Sequence, residues 1–155
     1  MRRRPAARLL ITDPSGRVLL FRFDHRSGAL AGTGYWATPG GGVEEGESFG
    51  QAALRELREE TGIEVVDPGP EIAQRRVVFQ LSSGEYVHED ERYFHVPVSA
   101  AQVSDAGWTA EERASITAHR WWRAAELAVT ADTVWPRDLA AMLDMLLQSA
   151  IDARG

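Results

Sequence analysis

Three glutamates lie close together in the stretch Arg55-Glu56-Leu57-Arg58-Glu59-Glu60, near the middle of the chain. On an α-helix each residue advances by about 100°, so Glu59 and Glu60 both lie roughly one turn from Glu56. Like charges at this spacing destabilise a helix by about 0.2–0.5 kcal/mol. Carboxylate oxygens are also the ligands that hard divalent cations prefer. The cluster is therefore a candidate metal site.

A salt-bridged surface helix is the alternative for these six residues, because Arg55 and Arg58 alternate with the glutamates. The preceding sequence favours the metal site. Gly40, Gly41 and Gly42 come shortly before the helix, and glycine permits backbone geometries and close ligand approaches that other residues do not. Mg²⁺ commonly shares its coordination with substrate phosphates. Glycines and carboxylates together predict phosphoryl chemistry.

The helix that must carry these glutamates has recognisable ends. Ser48 and Gln51 have the spacing of a capping box, and Gly62 stands where a C-terminal glycine stop belongs. These signals predict a helix over residues 49–61. The side expected to pack on a sheet carries Ala53, Leu54, Leu57 and Thr61. The glutamates are expected on the adjacent side.

Apolar segments on both sides of this helix predict strands. The predicted strands cover residues 7–12, 17–23, 35–37, 73–81, 85–98 and 119–122. Turn sequences at 13–16 and 82–84 predict hairpins, whereas residues 39–42 and 104–118 are predicted to be a shaped loop and a polar loop. Helical periodicity in the last part of the chain involves Leu139, Met142, Leu143, Leu146, Leu147 and Ile151. This order predicts an α/β fold, with helices against both faces of a mixed sheet and one domain over residues 1–155.

The composition of the 155-residue chain restricts its partners. A formal net charge of −6 argues against a protein that coats a nucleic acid polymer, although bridging metal ions let an acidic protein bind polyphosphates. The absence of cysteine excludes disulfides, thiol nucleophiles and thiolate metal sites. No apolar run approaches the roughly 18 residues of a membrane span. We therefore expect a cytoplasmic protein that binds no membrane.

The spacing Gly41-x5-Glu47-x7-Arg55-Glu56-Leu57-x-Glu59-Glu60-x-Gly62-Ile63 resembles the Nudix box in full. The lead-in Trp36-Ala37-Thr38-Pro39-Gly40 is also similar to the family, as are Arg120-Trp121-Trp122 and Glu126-Leu127 near the end. The resemblance implies a Nudix-type α/β/α sandwich with a mixed β-sheet. It also implies a pyrophosphohydrolase that uses Mg²⁺ or Mn²⁺ to cleave a nucleoside diphosphate linked to another moiety.

The resemblance further implies which residues hold the metal. Glu59 and Glu60 fall on the principal ligand positions of the family, and Glu56 falls on a position that binds metal or acts as general base. The backbone carbonyl of Gly40 corresponds to another ligand. Glu47 matches an auxiliary acidic position that often reaches the metal through water.

The resemblance leaves the general base open. In some members it is the first helix glutamate, here Glu56, and in others a carboxylate of a distal loop. Glu111 and Glu112 lie about where such a distal carboxylate is expected, although a solvated charge pair would explain them equally well. Arg55 is similar to the arginine that orients a neighbouring carboxylate and is included among the catalytic residues.

Substrate contacts are expected from residues of three kinds. Gly41 and Gly42 allow a close approach of phosphates, and Arg22 on the second predicted strand can reach a phosphate unless it is simply a surface arginine. Phe79 and Tyr93 can stack on a base, although aromatic residues in strands more often belong to the core.

The identity of the substrate is the least determined expectation. Subgroups that cleave ADP-ribose or diadenosine polyphosphates tend to carry a proline or a tyrosine after the box, but residues 78–81 contain neither. A small nucleoside triphosphate, including one with a modified base, is therefore expected first, followed by nucleotide sugars or ADP-ribose-like compounds. A non-catalytic nucleotide-sensing domain is the alternative outside enzymes, although such domains are expected to lose carboxylates. Many relatives form homodimers, so a homodimer is an open expectation.

Overall fold

The computed structural model describes residues 1–99 and 102–154, which form strands and helices in mixed order. The strands are β1 (Arg2–Thr12), β2 (Val18–Asp24), β3 (Gly34–Ala37), β4 (Gly40–Gly42), β5 (Glu71–Gln80), β6 (Tyr86–Pro97), β7 (Ile116–Trp122) and β8 (Val134–Trp135). The helices are α1 (Phe49–Thr61), α2 (Ala110–Ser115), α3 (Ala124–Val129) and α4 (Leu139–Arg154).

The mixed sheet consists of two halves that meet at the first hairpin. Strands β1 and β2 are antiparallel and pair at Thr12 and Val18, next to the predicted turn. Away from this turn β1 lies between β6, to which it is parallel, and β4. Strand β2 lies between β7 and β3. The hairpin is confirmed, but its two strands soon separate and leave room between the halves.

The two faces of the sheet carry separate apolar cores. Successive strand residues point to opposite faces, so Leu9 and Ile11 of β1 pack with α1 whereas Leu10 packs with α4. Leu57 of α1 and Leu143 of α4 are the buried helix residues at these two interfaces. Helices therefore cover both faces, and the predicted α/β/α arrangement is confirmed.

The glycine segment was wrongly predicted as an irregular loop. Residues 40–42 form β4, which pairs antiparallel with β1 so that Gly40, Gly41 and Gly42 lie opposite Arg8, Ala7 and Ala6. A Cβ atom at Gly40 would lie 2.2 Å from the Ala7 carbonyl oxygen, and Gly40 has a φ of 139°. Only glycine combines this backbone conformation with so close an approach. The glycines that suggested a loop are therefore the residues that this closely paired strand requires.

The predicted polar loop over residues 104–118 contains regular structure. Helix α2 begins after Thr109, whose hydroxyl accepts the Glu112 N–H while Glu112 accepts the Thr109 N–H. Strand β7 then begins at Ile116, before the predicted start at residue 119. Helix α3 and strand β8 were also missed because elements of this length show no clear periodicity. At the other helix, Ile151 is 60% exposed and lies outside the α4 core.

Within the described part of the chain, we find no helix of the length and apolar character that crossing a lipid bilayer requires.

Candidate active site

Helix α1 has the bounds that its capping residues predict. The Ser48 hydroxyl accepts the Gln51 N–H at 3.1 Å, and the Gln51 side chain accepts the Ser48 N–H at 2.8 Å. At the other end Gly62 has a φ of 76° and donates its N–H to the Arg58 carbonyl at 2.9 Å. Caps of this kind satisfy backbone N–H and carbonyl groups at the two ends of the helix and so fix where it begins and ends.

The glutamates of α1 differ sharply in burial. Glu56 and Glu60 are only 9% and 5% exposed and lie on the packed side of the helix. The side chain of Glu59 is 41% exposed. The predicted burial of Ala53, Leu57 and Thr61 is confirmed. The prediction was wrong for Leu54, which is only half buried, and for Glu56 and Glu60, which are buried with the apolar residues.

Of the two buried glutamates, Glu56 forms an ion pair with Arg55 at 3.0 Å, whereas Glu60 forms none within residues 1–99 and 102–154. Burial raises the pKa of Glu60 well above its usual range, and the neighbouring Glu56 raises it further. Burial also raises the pKa of Glu56, against the effect of Arg55. The Gly40 N–H donates to Glu60 Oε2 at 3.0 Å. A buried carboxylate without a positively charged partner, such as that of Glu60, favours the binding of a cation.

Arg55 joins the carboxylates of the loop and the helix. Its Nε and Nη2 donate to both oxygens of Glu47 at 2.8 and 2.9 Å. Its Nη1 donates to Glu56 at 3.0 Å and to Glu59 at 3.2 Å, and its Nη2 also reaches the Gly42 carbonyl at 2.8 Å. Hydrogen bonding to Arg55 lowers the pKa of Glu47. The guanidinium thus orients the carboxylates and ties them to β4.

Strand β4 presents backbone groups to these carboxylates. Gly41 is paired with Ala7 of β1, so the polar backbone groups of Gly40 face the opposite edge of the strand. At that edge the Gly40 N–H donates to Glu60. The carbonyl group of a strand residue points to the same edge as its N–H, so the Gly40 carbonyl also lies on the side of Glu60. A Cβ atom at Gly41 would lie 2.5 Å from Glu56 Oε1, so the bare backbone packs directly on the carboxylate.

The donor chemistry of this site suits a hard divalent cation. All of its ligand atoms are carboxylate or carbonyl oxygens, which Mg²⁺ and Mn²⁺ prefer. Over residues 1–99 and 102–154, no three His, Asp or Glu side chains are already grouped as a complete metal cage. Three of the carboxylates, those of Glu47, Glu56 and Glu59, accept hydrogen bonds from Arg55 instead.

Helix α2 brings one of the two distal candidates toward this site. Glu112 is half buried, and its negative charge contributes to the raised pKa of Glu60. Glu111 is exposed and instead accepts the hydroxyl of Ser82 at 3.1 Å, in the turn between β5 and β6. The negative charge of Glu112 thus acts on a carboxylate of α1, whereas Glu111 is engaged by Ser82.

The predicted substrate contacts lie at different depths. Arg22 donates to Asp24 at 3.1 Å, and its guanidinium lies 5.9 Å from the centre of the Trp36 ring. Tyr93 is only 2% exposed in the core beneath α4, which leaves its ring little surface for a base. Phe79 is half buried near the end of β5.

A buried ionic cluster beside β4 escaped the sequence analysis. Arg4 Nη1 donates to Glu89 at 2.6 Å, and Arg8 donates to both Glu89 and Glu91, the latter at 3.0 Å. The Glu89 side chain is 0% exposed. The signal was present in the alternation of the strands, since Arg4 and Arg8 share the sheet face of Leu10.

Comparison with known proteins identifies the family of the chain and several relatives. The family described as NUDIX domain matches residues 2–143. An RNA pyrophosphohydrolase of Wolbachia pipientis subsp. Culex pipiens is 33% identical over 102 residues, which cover 59% of this chain and 57% of that protein. An RNA pyrophosphohydrolase of Teredinibacter turnerae is 41% identical over 64 residues, 41% of this chain and 34% of that protein. The chain thus spans little more than half of the first relative and about a third of the second.

Solved structures share the fold over almost the whole chain. The crystal structure of a MutT protein from Methanosarcina mazei Go1 has a TM-score of 0.68 at 23% identity and covers 96% of both chains. The solution structure of the E. coli ORF135 protein has a TM-score of 0.63 at 27% identity, covering 97% of this chain and 94% of that one. With the family match over residues 2–143, these likenesses show that the chain belongs to the NUDIX domain family, whose hydrolases act on phosphoanhydride bonds.

Proposed function

We propose that this chain is a divalent-metal-dependent pyrophosphohydrolase that cleaves a nucleoside diphosphate linked to another group. The observation that carries the proposal is the burial of Glu56 and Glu60 directly against the glycine strand β4. Two adjacent buried carboxylates are costly for folding unless a cation neutralises them. A surface salt-bridged helix would leave these side chains exposed, and a non-catalytic sensing domain would have no need to keep them.

The metal ligands in this proposal are Glu56, Glu59, Glu60 and the Gly40 carbonyl, with Glu47 acting through water. A bound Mg²⁺ or Mn²⁺ supplies charge neutralisation for the phosphate oxygens and lowers the pKa of a water molecule. Arg55 holds Glu47 and Glu56 in place through the hydrogen bonds described above. Gly41 and Gly42 leave space for the phosphates to lie against the backbone, because no side chain projects from β4.

A carboxylate must accept the proton of the attacking water, and two residues compete for this role. The negative charge of Glu112 on α2 contributes to the raised pKa of Glu60, while Glu56 lies within the carboxylate cluster itself. General-base catalysis contributes about 10²–10⁴-fold to a rate. The position of Glu112 outside the Arg55 network favours it, since Glu56 Oε1 already accepts from Arg55.

Substitution of Glu112 by Gln is expected to lower kcat by about a hundredfold or more, since an amide cannot accept the proton. Gln at this position still completes the capping box with Thr109, so α2 remains capped. The matched variant Glu111→Gln removes a charge one residue earlier and is expected to keep wild-type turnover. Steady-state kinetics of both proteins give the comparison. If both turn over at the wild-type rate, the base is Glu56.

We further propose that the preferred substrate is a small nucleoside triphosphate, including one with a modified base. A 5′-triphosphorylated RNA is a second candidate, because the relatives described above are named RNA pyrophosphohydrolases. Both substrates present a triphosphate to the same carboxylates. The net charge of −6 favours the smaller one, since an acidic protein gains little from a long phosphate backbone.

The substrate panel that tests this choice contains dNTPs, a triphosphorylated RNA oligonucleotide, ADP-ribose, nucleotide sugars and dinucleoside polyphosphates. Release of phosphate or pyrophosphate is measured with Mg²⁺, with Mn²⁺ and with a chelator. We expect the highest kcat/KM for a nucleoside triphosphate and no turnover with the chelator. A kcat/KM at least about tenfold higher for any diphosphate-linked compound, or about 1.4 kcal/mol of preference, would contradict the triphosphate assignment.

A further inference from the structure

Strand β4 separates two groups of opposite charge. A Cβ atom at Gly41 would lie 2.5 Å from Glu56 Oε1, whereas one at Gly42 would lie 3.1 Å from Arg4 Nη2. Neighbouring strand residues point to opposite faces, so the carboxylates lie on one face of β4 and Arg4 lies on the other. Because β4 carries no side chains, little more than one backbone thickness separates them.

The guanidinium of Arg4 is held in a fixed position. Its Nη1 donates to Glu89 Oε2 at 2.6 Å, and Glu89 is completely buried. Glu89 also accepts from Arg8, which in turn donates to Glu91 at 3.0 Å. A buried carboxylate that accepts hydrogen bonds from two arginines holds their guanidinium groups more firmly than a surface ion pair does.

Only part of the donor capacity of Arg4 is used by this cluster. Its side chain is 29% exposed, and its Nε and Nη2 donate to no protein group in the described ranges 1–99 and 102–154. These two atoms are the ones nearest to Gly42, at 3.4 and 3.1 Å from the position of a Cβ atom there. A guanidinium with adjacent free donors has the geometry for binding phosphate.

The residue first expected to bind phosphate is engaged elsewhere. Arg22 donates from Nε and Nη2 to the carboxylate of Asp24, which also accepts the hydroxyl of Thr117. A phosphate chain over β4 meets carboxylates on one side and Arg4 on the other.

We propose that Arg4 binds a phosphate oxygen of the substrate at the edge of β4, opposite the glutamates, and that Glu89 positions its guanidinium. This role rests on the proposed function, because it places the diphosphate over the glycine strand. The ligand chemistry is a phosphate group of a polyphosphate chain, contacted by the free Nε and Nη2 of Arg4.

The test compares Arg4→Gln with Arg3→Gln in the full-length protein. Arg3 is the neighbouring residue on β1, points to the opposite face and is 62% exposed, with Asp90 as its partner. Calorimetry measures the Kd for inorganic pyrophosphate in the presence of Mg²⁺, and kinetics measure KM and kcat for the best substrate of the panel. We expect Arg4→Gln to raise Kd and KM about tenfold to a hundredfold, as loss of hydrogen bonds to a charged group does. Arg3→Gln should leave both within about twofold, as for exposed ion pairs.

A second variant is needed as a control for misfolding, because Arg4→Gln removes one of the two arginine partners of Glu89. Arg4→Lys keeps a positive charge for Glu89 but lacks the remaining guanidinium donors, so its Kd should rise about tenfold with little change in Tm. Equal Kd values for Arg4→Lys, Arg3→Gln and wild type would overturn the proposal, as would a wild-type protein that does not bind pyrophosphate. A wild-type protein that binds pyrophosphate but hydrolyses nothing would defeat the proposed function alone.

Discussion

Glu60→Gln is expected to lower turnover by about a hundredfold to a thousandfold while the fold stays intact, since metal-ion charge stabilisation contributes several kcal/mol. The amide has the volume of the carboxylate and can still accept the Gly40 N–H. It removes the negative charge that would hold the cation. Because burial already raises the pKa of Glu60, a neutral side chain should fit the metal-free protein at least as well.

Two measurements together identify the role of Glu60. Turnover with Mg²⁺ reports catalysis, and the rise in Tm on adding Mg²⁺ reports cation binding without any chemistry. Glu59→Gln should lose both, as Glu60→Gln does, with a far-UV CD spectrum like that of the wild type. The exposed Glu64, just beyond α1, provides the control substitution Glu64→Gln. Wild-type turnover by either helix variant would refute the metal-site assignment.

Gly41→Ala is expected to reduce turnover by about a hundredfold, because a displacement of about 1 Å at a reacting site can have that effect. The new methyl group would lie 2.5 Å from Glu56 Oε1 and must displace this carboxylate. Gly41 does not have a positive φ, so alanine brings no backbone strain of its own. The expected defect is therefore a misplaced Glu56 in a folded protein.

Gly50→Ala is the matched control for this substitution. Gly50 lies in the first turn of α1, where a Cβ atom would meet Pro68 at an ordinary 3.7 Å. Alanine there should retain activity and stabilise the helix by up to about 1 kcal/mol. Kinetics and thermal melting of the two glycine variants distinguish the effect of displacing the Glu56 carboxylate from the general effect of adding a methyl group. Full activity in Gly41→Ala would show that turnover does not depend on the position of Glu56.

Local signals in the sequence predicted the element that carries the chemistry. The bounds of α1 follow from Ser48, Gln51 and Gly62, whose hydrogen bonds depend only on near neighbours in the chain. The burial of Glu56 and Glu60 could not be predicted in the same way. A helical projection gives the angle between side chains but does not show which part of the sheet covers them.

Features that depend on distant pairing were missed. Glycines at residues 40–42 have no preference for a strand, and their partners in β1, from Ala6 to Arg8, lie more than about thirty positions earlier in the chain. The contact between Arg4 and Glu89 joins residues 85 positions apart. No periodicity within one segment encodes the partner in such a contact, so the ion pair was not predicted.

The parallel pairing of β1 with β6 has a consequence for how the chain is made. Every residue of β1, from Arg2 to Thr12, is matched with one between Val87 and Pro97. Because synthesis runs from the N-terminus to the C-terminus, β1 is made before β6 and stays without this partner until β6 has followed. An unpaired strand edge invites association with other chains, and the arginines at the start of β1 oppose it by mutual repulsion. We therefore expect the arginines of β1 to disfavour association of the nascent chain until β6 has paired with this strand.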